Sequence, residues 1–319
     1  MRRVLVTGGS GFIGSSVVAR LAAAEDVDLV VSGDLRPPTR PPEGADGVVH
    51  AHLDVTDAES IRRALRDHQI DTVVHLAAIV VPDPRMSREL IRRVDVEGTR
   101  NVLEGCVAAG VDQVVVSSSG AAYGYHADNP VPLHEDDPLR GNDEFAYSQH
   151  KRLVEEVLAH HRREHPALGQ TVLRIGTVLG ERVDNQITAL FERRRLLKVR
   201  GSDSPFVFIW DADLVEIITL AVRERRTGVF NVAGDGALTV DEIAAALGRP
   251  VLVVPEAVLR AALTVGRGLR VTGYGPEQTR FLKYRPVLDN TRLKTEFGYI
   301  PARTSQEAFD AWVESRRRR

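Results

Sequence analysis

Residues 4–14 read VLVTGGSGFIG, an apolar run followed directly by a loop with glycines at positions 8, 11 and 14. The apolar run predicts a strand, and the residues after the loop have helical periodicity. Gly8 permits a tight turn, Gly11 lets a pyrophosphate approach the backbone, and Gly14 lets the helix lie close to the strand. The N-terminus of that helix then faces the phosphate charge. The pattern favours a dinucleotide-binding loop, with Phe12 and Ile13 among its contacts, over a glycine turn without a ligand.

Strand-like runs alternate with helical segments from this loop to about residue 176. The predicted strands are 4–7, 28–33, 71–77, 113–119 and 171–176, and the predicted helices are 12–24, 58–68, 88–109 and 145–164. Alternation of this kind predicts a parallel sheet, and strands that are apolar on both faces predict helices on each side. The predicted fold class is therefore α/β, a doubly wound parallel Rossmann sheet with a smaller C-terminal α/β substrate domain.

A length of 319 residues favours one large domain and a smaller one. We predict an NAD-binding Rossmann domain over residues 1–176 and a mainly substrate-binding domain over 177–319, with about 229–245 returning to the first domain. The stretch RPPTRPPEG (36–44) predicts a polyproline-like surface loop, and the arginine run 193–195 predicts a solvated helix face.

Composition narrows the partners of the chain. A net charge of −2 and a pI near 6.6 argue against a nucleic-acid surface and favour a small-molecule substrate. The one cysteine, Cys106, cannot form an intrachain disulfide and lies in an apolar, helix-like setting, which suits packing in a reducing compartment. We found no transmembrane pattern and no metal-ligand spacing. These features predict a cytoplasmic protein without a membrane partner or a metal.

Two acidic positions concern the choice of dinucleotide. Asp34 ends the second predicted strand, where its carboxylate can accept hydrogen bonds from both hydroxyls of an adenosine ribose. That favours NAD, although Arg36 can partly offset the repulsion of a 2′-phosphate and keeps NADP as the less favoured alternative. Asp54 and Val55 are placed to hold the adenine edge, and an Asx turn at Asp54 is the competing interpretation.

Several motifs together resemble the extended short-chain dehydrogenase/reductase superfamily, in particular its NAD-dependent epimerase/dehydratase branch, which includes UDP-galactose 4-epimerase. The resemblance covers nearly the whole chain and is carried by TGGSGFIG (7–14), LDVTD (53–57), HLAA (75–78), VEGT (96–99), SSSGAAYG (117–124), YSQHK (147–151), FNVAG (230–234) and LDNTRLKTEFGYIP (288–301). It implies that Ala77 and Ala78 line the nicotinamide side. It also implies a homodimer formed through the helices 88–109 and 145–164.

Ser119, Tyr147 and Lys151 are the predicted catalytic groups, because YxxxK follows SSSGAAYG in this chain. A tyrosine of ordinary pKa about 10 is a poor base, but Lys151 one helical turn away and an oxidised nicotinamide both stabilise its phenolate. Tyr147 then exchanges a proton with a substrate hydroxyl while Ser119 bonds the same oxygen. The resemblance adds a bond from Lys151 to the nicotinamide ribose. Tyr123 is not taken as the base, and His75 is interpreted as a packed histidine bonded to backbone.

Some positions depart from the family pattern. Thr177 stands where an asparagine commonly touches the substrate, Phe206 where an arginine clamps the nucleotide diphosphate, and Trp210 where a histidine is usual. The basic residues at 193–195, 198 and 200 are an alternative source of charge, although a solvated face is the favoured interpretation. Asp95 replaces the usual asparagine before VxGT, and we expect this change to affect helix-to-sheet support.

The first functional hypothesis is an NAD-dependent sugar-nucleotide epimerase that oxidises a hydroxyl transiently, with Tyr147 as acid and base. Dehydration is disfavoured, because Gly120 and Ala121 occupy the positions where dehydratases of the family carry an Asp-Glu pair. The second hypothesis is an NAD(P)-dependent dehydrogenase or ketoreductase on a non-nucleotide alcohol or ketone. A non-catalytic NAD sensor is a third, and the complete set of catalytic groups argues against it.

Overall fold

The computed structural model describes residues 1–37, 47–80, 83, 85–269 and 275–318. Its strands are β1 (Arg2–Thr7), β2 (Val27–Asp34), β3 (Val49–His52), β4 (Thr72–His75), β5 (Gln113–Ser119), β6 (Gly169–Ile175), β7 (Thr177–Leu179), β8 (Leu196–Val199), β9 (Phe208–Trp210), β10 (Gly228–Val232) and β11 (Val251–Val254). Seven of them form one parallel sheet in the order β10-β6-β5-β4-β1-β2-β3. The remaining four form two small parallel pairs, β11 with β8 and β7 with β9.

The helices are α1 (Phe12–Ala22), α2 (Ala58–Asp67), α3 (Arg88–Arg92), α4 (Gly98–Ala109), α5 (Ala146–Glu164), α6 (Gln186–Phe191), α7 (Asp211–Arg223), α8 (Val240–Leu247), α9 (Glu256–Gly268), α10 (Gln278–Lys283), α11 (Thr291–Thr295) and α12 (Ser305–Arg317). A π-helical segment, Arg93–Glu97, joins α3 to α4, and a 3₁₀ helix, Gly120–Tyr123, follows β5. The predicted helix 88–109 therefore contains a local widening at Asp95.

Both faces of the central sheet are covered. Alternate residues of β1 point to opposite sides, with Leu5 packing among α2, α4 and α5 and with Val4 and Val6 packing among α1 and α7. The predicted doubly wound α/β fold is confirmed. Cys106 is fully buried in the first of these cores, and burial raises the pKa of its thiol to about 12, so it stays protonated as a packing residue.

The order of the strands reverses between β1 and β4. In open parallel sheets the carboxyl ends of the strands on either side of such a reversal border a crevice that takes ligands. The glycine loop follows β1 and the Ala77–Ala78 segment follows β4, so both border this crevice.

Beyond β6 the chain builds a separate aromatic core from Phe191, Phe206, Phe208, Phe309 and Trp312. The strand β10 leaves this region and pairs in parallel with β6 at the edge of the main sheet. The division into two domains at residue 176 stays a prediction.

Two sequence predictions concern loops. The arginines at 193–195 are exposed, but they lie in a turn after α6 rather than on a helix, so the predicted helix face is wrong. The predicted polyproline-like loop lies, from residue 38 onward, outside the described residues. Within the part of the chain that the structure describes, every helix falls short of a membrane span in length or in apolar character.

Candidate active site

The glycine loop packs directly against the segment that follows β4. Gly8 has a φ of +72°, which favours glycine, and its amide donates to the carbonyl oxygen of Gly33 at 2.9 Å. A Cβ atom at Gly8 would lie 2.8 Å from the amide nitrogen of Ala77, and a Cβ at Gly14 would lie 2.0 Å from the carbonyl oxygen of Gly8. Side chains at these positions would therefore close the space between the loop, α1 and β4.

The N-terminus of α1 is open for an anion. Gly11 is its N-cap, no side chain among the described residues caps it, and its first turn carries no acidic residue. Phe12 is exposed and Ile13 is partly buried at the start of this helix. Free amide groups and the positive end of the helix dipole are what a pyrophosphate requires, so the loop fits a dinucleotide.

Asp34 lies at the end of β2 beside this loop. Its Oδ2 accepts a hydrogen bond from the amide of Ser10 at 3.1 Å, and the hydroxyl of Ser10 donates to the carbonyl oxygen of Arg36 at 2.8 Å. The carboxylate is thus held next to the glycine loop, and its contact with a ribose stays a prediction.

Asp54 forms a local turn. Its Oδ1 accepts hydrogen bonds from both the amide and the hydroxyl of Thr56, each at 2.8 Å, which is the Asx turn considered as the competing interpretation. Val55 is buried, and its carbonyl oxygen accepts from Asn101 Nδ2 at 2.9 Å. The adenine contact of both residues stays a prediction.

His75 is buried at the end of β4 and bonds to hydroxyls, not to backbone as expected. Thr7 Oγ1 lies 2.7 Å from Nδ1, and Thr99 Oγ1 lies 3.1 Å from Nε2. Because Thr99 donates to the carbonyl oxygen of Asp95 at 2.6 Å, it accepts from Nε2–H, and Nδ1 accepts from Thr7. Burial, followed by the charge of Lys151, lowers the pKa of His75 to about 4, which keeps the ring neutral.

The predicted catalytic groups lie at the end of β5 and in the first two turns of α5. Ser119 is partly buried, and its Oγ accepts from the amide of Ala121 at 3.1 Å. Lys151 is buried, donates from Nζ to the carbonyl oxygen of Ser117 at 2.9 Å, and lies 5.8 Å from the ring centroid of Tyr147. Ala77 and Ala78 line a small cavity together with Lys151 and Ser117. Lys151 thus lies between the Ala77–Ala78 segment and the ring of Tyr147.

Further bonds fix α5 against the end of β5. Ser148 Oγ donates to the carbonyl oxygen of Ala121 at 2.7 Å, and Ser118 Oγ donates to Glu155 Oε1 at 2.5 Å. Residues 148, 151 and 155 lie on one face of the helix, because helical neighbours recur every three or four residues. The first turns of α5, which carry Tyr147 and Lys151, are therefore held against the end of β5.

Glu155 also belongs to a buried ion pair. Arg174 on β6 donates from Nη2 to Glu155 Oε2 at 2.7 Å and from Nη1 to the hydroxyl of Tyr123 at 2.8 Å. Burial alone would lower the pKa of Arg174, but the bond to Glu155 raises it above its ordinary value. Burial raises the pKa of Tyr123 to about 12, so this phenol stays protonated at neutral pH.

The C-terminal part supplies a cation beside Phe206. The guanidinium of Arg285 lies 3.8 Å from the Phe206 ring centroid, and its Nη1 donates to the carbonyl oxygen of Ser204 at 2.6 Å. Burial lowers the pKa of Arg285 to about 9, so it remains charged at neutral pH. Its Nε is buried without a hydrogen-bond partner, and no carboxylate pairs with it, among the described residues.

A series of aromatic rings connects this cation to the start of α5. Arg285 lies 4.8 Å from the ring centroid of Phe281, which packs edge-on against Tyr125 at 5.4 Å. Tyr125 in turn packs edge-on against Phe145, the N-cap of α5, at 5.2 Å. Three aromatic rings thus lie between Arg285 and the start of α5.

Of the basic residues considered from the sequence, Lys198 is engaged in ion pairs. Lys198 Nζ pairs with Asp203 at 3.0 Å and with Asp241 at 2.5 Å.

Trp210 is packed under the guanidinium of Arg303, 4.5 Å from the ring centroid. Among the described residues, no group of three or more His, Cys, Asp or Glu is placed to hold a metal.

The sequence profile of the NAD dependent epimerase/dehydratase family matches residues 4–233. The chain belongs to this family. As a member, it is an NAD-dependent enzyme of the short-chain dehydrogenase/reductase type, which confirms the resemblance seen in the motifs. The matched range includes the glycine loop, all but the first two residues of the seven-stranded main sheet, and the three predicted catalytic groups.

Individual relatives agree with the family assignment. An uncharacterized protein of Mycobacterium tuberculosis strain H37Rv is 27% identical over 316 residues, which cover 98% of this chain and 84% of that protein. UDP-glucose 4-epimerase of Azospirillum brasilense is 36% identical over 179 residues, 56% of this chain and 49% of that enzyme.

Among solved structures, the NAD complex of UDP-glucose 4-epimerase from Thermus thermophilus has a TM-score of 0.73, 27% identity and 99% coverage of both chains. MoeE5 in complex with UDP-glucuronic acid and NAD has a TM-score of 0.75 and 25% identity, also with 99% coverage of both chains.

Sequence reasoning missed several residues of this family member's site. An arginine within the apolar run TVLRIG, and a glutamate one turn beyond Lys151, were signals for the buried pair of Arg174 and Glu155. Arg285 carried no local signal, because its contact with Phe206 joins residues far apart in the chain.

Proposed function

We propose that the enzyme is an NAD-dependent epimerase that acts on a sugar nucleotide, with Tyr147 as the acid and base. The observation that carries the proposal is the position of Lys151, which is bonded to the end of β5, faces the Tyr147 ring, and shares a cavity with Ala77 and Ala78. The proton-transfer groups Tyr147 and Lys151 thus adjoin the Ala77–Ala78 segment at one edge of the sheet.

The cofactor in this proposal is NAD. The glycine loop and the first turn of α1 hold the pyrophosphate, Asp34 holds the adenosine ribose, and Ala77 and Ala78 line the nicotinamide. A 2′-phosphate beside Asp34 would be repelled, so NADP is the less favoured dinucleotide. When bound, NAD supplies the acceptor for a hydride from the substrate carbon.

The side chains handle the proton. Tyr147 takes it from a substrate hydroxyl at the phenolic oxygen, and the positive charge of Lys151 stabilises the phenolate that accepts it. Ser119 donates a hydrogen bond to the same substrate oxygen, which holds it against Tyr147. The proton returns from Tyr147 when the ketone is reduced on its other face.

Arg285 supports a sugar nucleotide as the substrate. A cation without a carboxylate partner among the described residues, held over the ring of Phe206, is suited to bind an anion such as a diphosphate. It replaces the arginine that the family commonly has at position 206. The similar enzymes named for UDP-glucose or solved with UDP-glucuronic acid point to the same class.

Epimerisation is favoured over dehydration by the residues that follow Ser119. Gly120 and Ala121 are buried in the 3₁₀ helix and offer no acid or base to remove water. The groups present therefore suffice for oxidation of a substrate hydroxyl and reduction of the resulting ketone, without removal of water.

The test is to incubate the purified protein, without added cofactor, with UDP-glucose, UDP-galactose or UDP-glucuronic acid and to separate the products by ion-pair chromatography. We expect the C4 epimer of at least one of them, and at least about a 100-fold loss of turnover in Tyr147→Phe. Tyr299→Phe, a phenol that packs on the opposite face of the sheet, is the matched control and should keep turnover. Unchanged turnover in Tyr147→Phe with NAD bound would contradict the proposed role.

The apolar surroundings of Phe206, Phe281 and Trp210 favour one second candidate, a dehydrogenase or ketoreductase on a non-nucleotide alcohol or ketone. That enzyme would accumulate NADH or NAD during turnover, whereas the epimerase would not. Absorbance at the wavelength of reduced nicotinamide separates the two. The homodimer and the cytoplasmic location stay predictions.

A further inference from the structure

Asp95 connects the segment that follows β4 to α5, the helix that carries Tyr147 and Lys151. It lies in the π-helical segment Arg93–Glu97 and is 4% exposed. Its Oδ1 accepts a hydrogen bond from the amide of Ile79 at 2.9 Å, and its Oδ2 lies 3.0 Å from Nδ1 of His150. One carboxylate therefore joins the segment after β4 to α5.

His150 has this carboxylate as its bonding partner. The side chain is 1% exposed, and its Nε2 is buried without a hydrogen-bond partner among the described residues. Leaving a buried ring nitrogen unbonded costs free energy, so the bond that Nδ1 makes to Asp95 is the polar contact that offsets the burial of this ring. His150 immediately precedes Lys151 and follows Tyr147 in the same helical turn. A constraint on its ring is therefore a constraint on both catalytic groups.

The two residues are chemically matched. An asparagine at position 95, the usual residue in the family pattern, could accept from the Ile79 amide without bringing a charge into the core. Aspartate brings a buried carboxylate that needs a donor on its second oxygen, and Nδ1 of His150 is that donor. Removing His150 alone would leave the carboxylate of Asp95 under-compensated.

We propose that Asp95 and His150 act as one positioning unit, which fixes the Ala77–Ile79 segment relative to the first turn of α5. The unit sets the alignment of the nicotinamide side with Tyr147 and Lys151. The unit acts through the groups that it positions, and it rests on the proposed function of Tyr147 and Lys151. Its π-helical setting agrees with this role, because π segments within helices concentrate at functional sites.

The test is a double-mutant cycle read by the dissociation constant of NAD, titrated back into folded protein from which the retained nucleotide has been removed. His150→Ala is expected to weaken NAD binding about tenfold, which corresponds to about 1.4 kcal/mol. In the Asp95→Asn background the same substitution should change it by less than about twofold, because no buried charge remains to be paired. The amide of His150→Asn can donate from about the place of Nδ1. This variant should therefore restore the hydrogen bond to Asp95 and with it the affinity for NAD.

Turnover provides a second measurement on the same variants. We expect kcat of His150→Ala to fall while the KM for the sugar nucleotide stays constant, because the substrate site is untouched. His160→Ala, which removes an exposed imidazole from the same helix, is the control for helix destabilisation. Melting temperatures of all variants separate loss of folding from loss of alignment.

An equal loss of NAD affinity for His150→Ala in both backgrounds would overturn the proposal. So would a lowered melting temperature with unchanged NAD affinity and kcat. If the wild type binds NAD but epimerises no sugar nucleotide, the proposed substrate class fails, while the NAD cycle still decides the role of Asp95 and His150.

Discussion

Acidification should destabilise the protein through His75. In the folded state the pKa of this ring is lowered from its ordinary value of 6.5 to about 4, with burial as the largest cause. The unfolded chain therefore binds a proton between these pH values that the folded chain does not bind. The contribution to stability is complete above pH 6.5 and is lost as the pH falls, by about 2 kcal/mol at pH 5 and about 3 kcal/mol at pH 4.

The measurement is urea unfolding of the wild type and of His75→Gln at several pH values between 7 and 5. The variant loses hydrogen bonds to Thr7 or Thr99 and should be less stable at pH 7, but its side chain does not titrate. The difference in unfolding free energy between the two proteins should shrink by about 2 kcal/mol over this range. A constant difference would show that His75 is not held neutral in the fold.

Three further substitutions test the site. Gly14→Ala places a Cβ 2.0 Å from a carbonyl oxygen of the glycine loop and should lower NAD affinity at least about tenfold. Gly268→Ala, where the added Cβ meets open space, is the control and should leave the affinity unchanged. Equilibrium dialysis compares the two variants, and equal affinities would show that the glycine loop does not hold the dinucleotide. Glu155→Gln leaves Arg174 buried without its partner's charge and should cost about 3 kcal/mol in urea unfolding, with a loss under about 1 kcal/mol counting against the network. Arg285→Met should raise the KM for a UDP-sugar about tenfold with little change in kcat, and an unchanged KM would remove Arg285 from the substrate site.

Local patterns were sufficient for the main sheet. Strands such as β1 and β5 are apolar on both sides, and the glycines at 8, 11 and 14 have no other common use directly between a strand and a helix. The predicted bounds of β5, 113–119, agree with the structure. The predicted helix 145–164 agrees closely with α5, Ala146–Glu164.

Other features depend on contacts between distant residues. The sequence around the arginines at 193–195 predicts a helix, but α6 ends at Phe191, before they begin. His75 was expected to bond to backbone, because nothing in the sequence places Thr7 and Thr99 beside its ring. The π segment at Asp95 has no signature in the 3.6-residue period that predicts the surrounding helix.

Central to the proposed function is that the protein keeps NAD through its catalytic cycle. The most direct test is to denature the purified protein with acid and to quantify the released nucleotide by mass spectrometry and absorbance. We predict close to one NAD per chain and no NADP. A protein that releases no dinucleotide, yet turns over alcohols or ketones when NAD or NADP is added, would contradict the proposal and favour the dehydrogenase or ketoreductase.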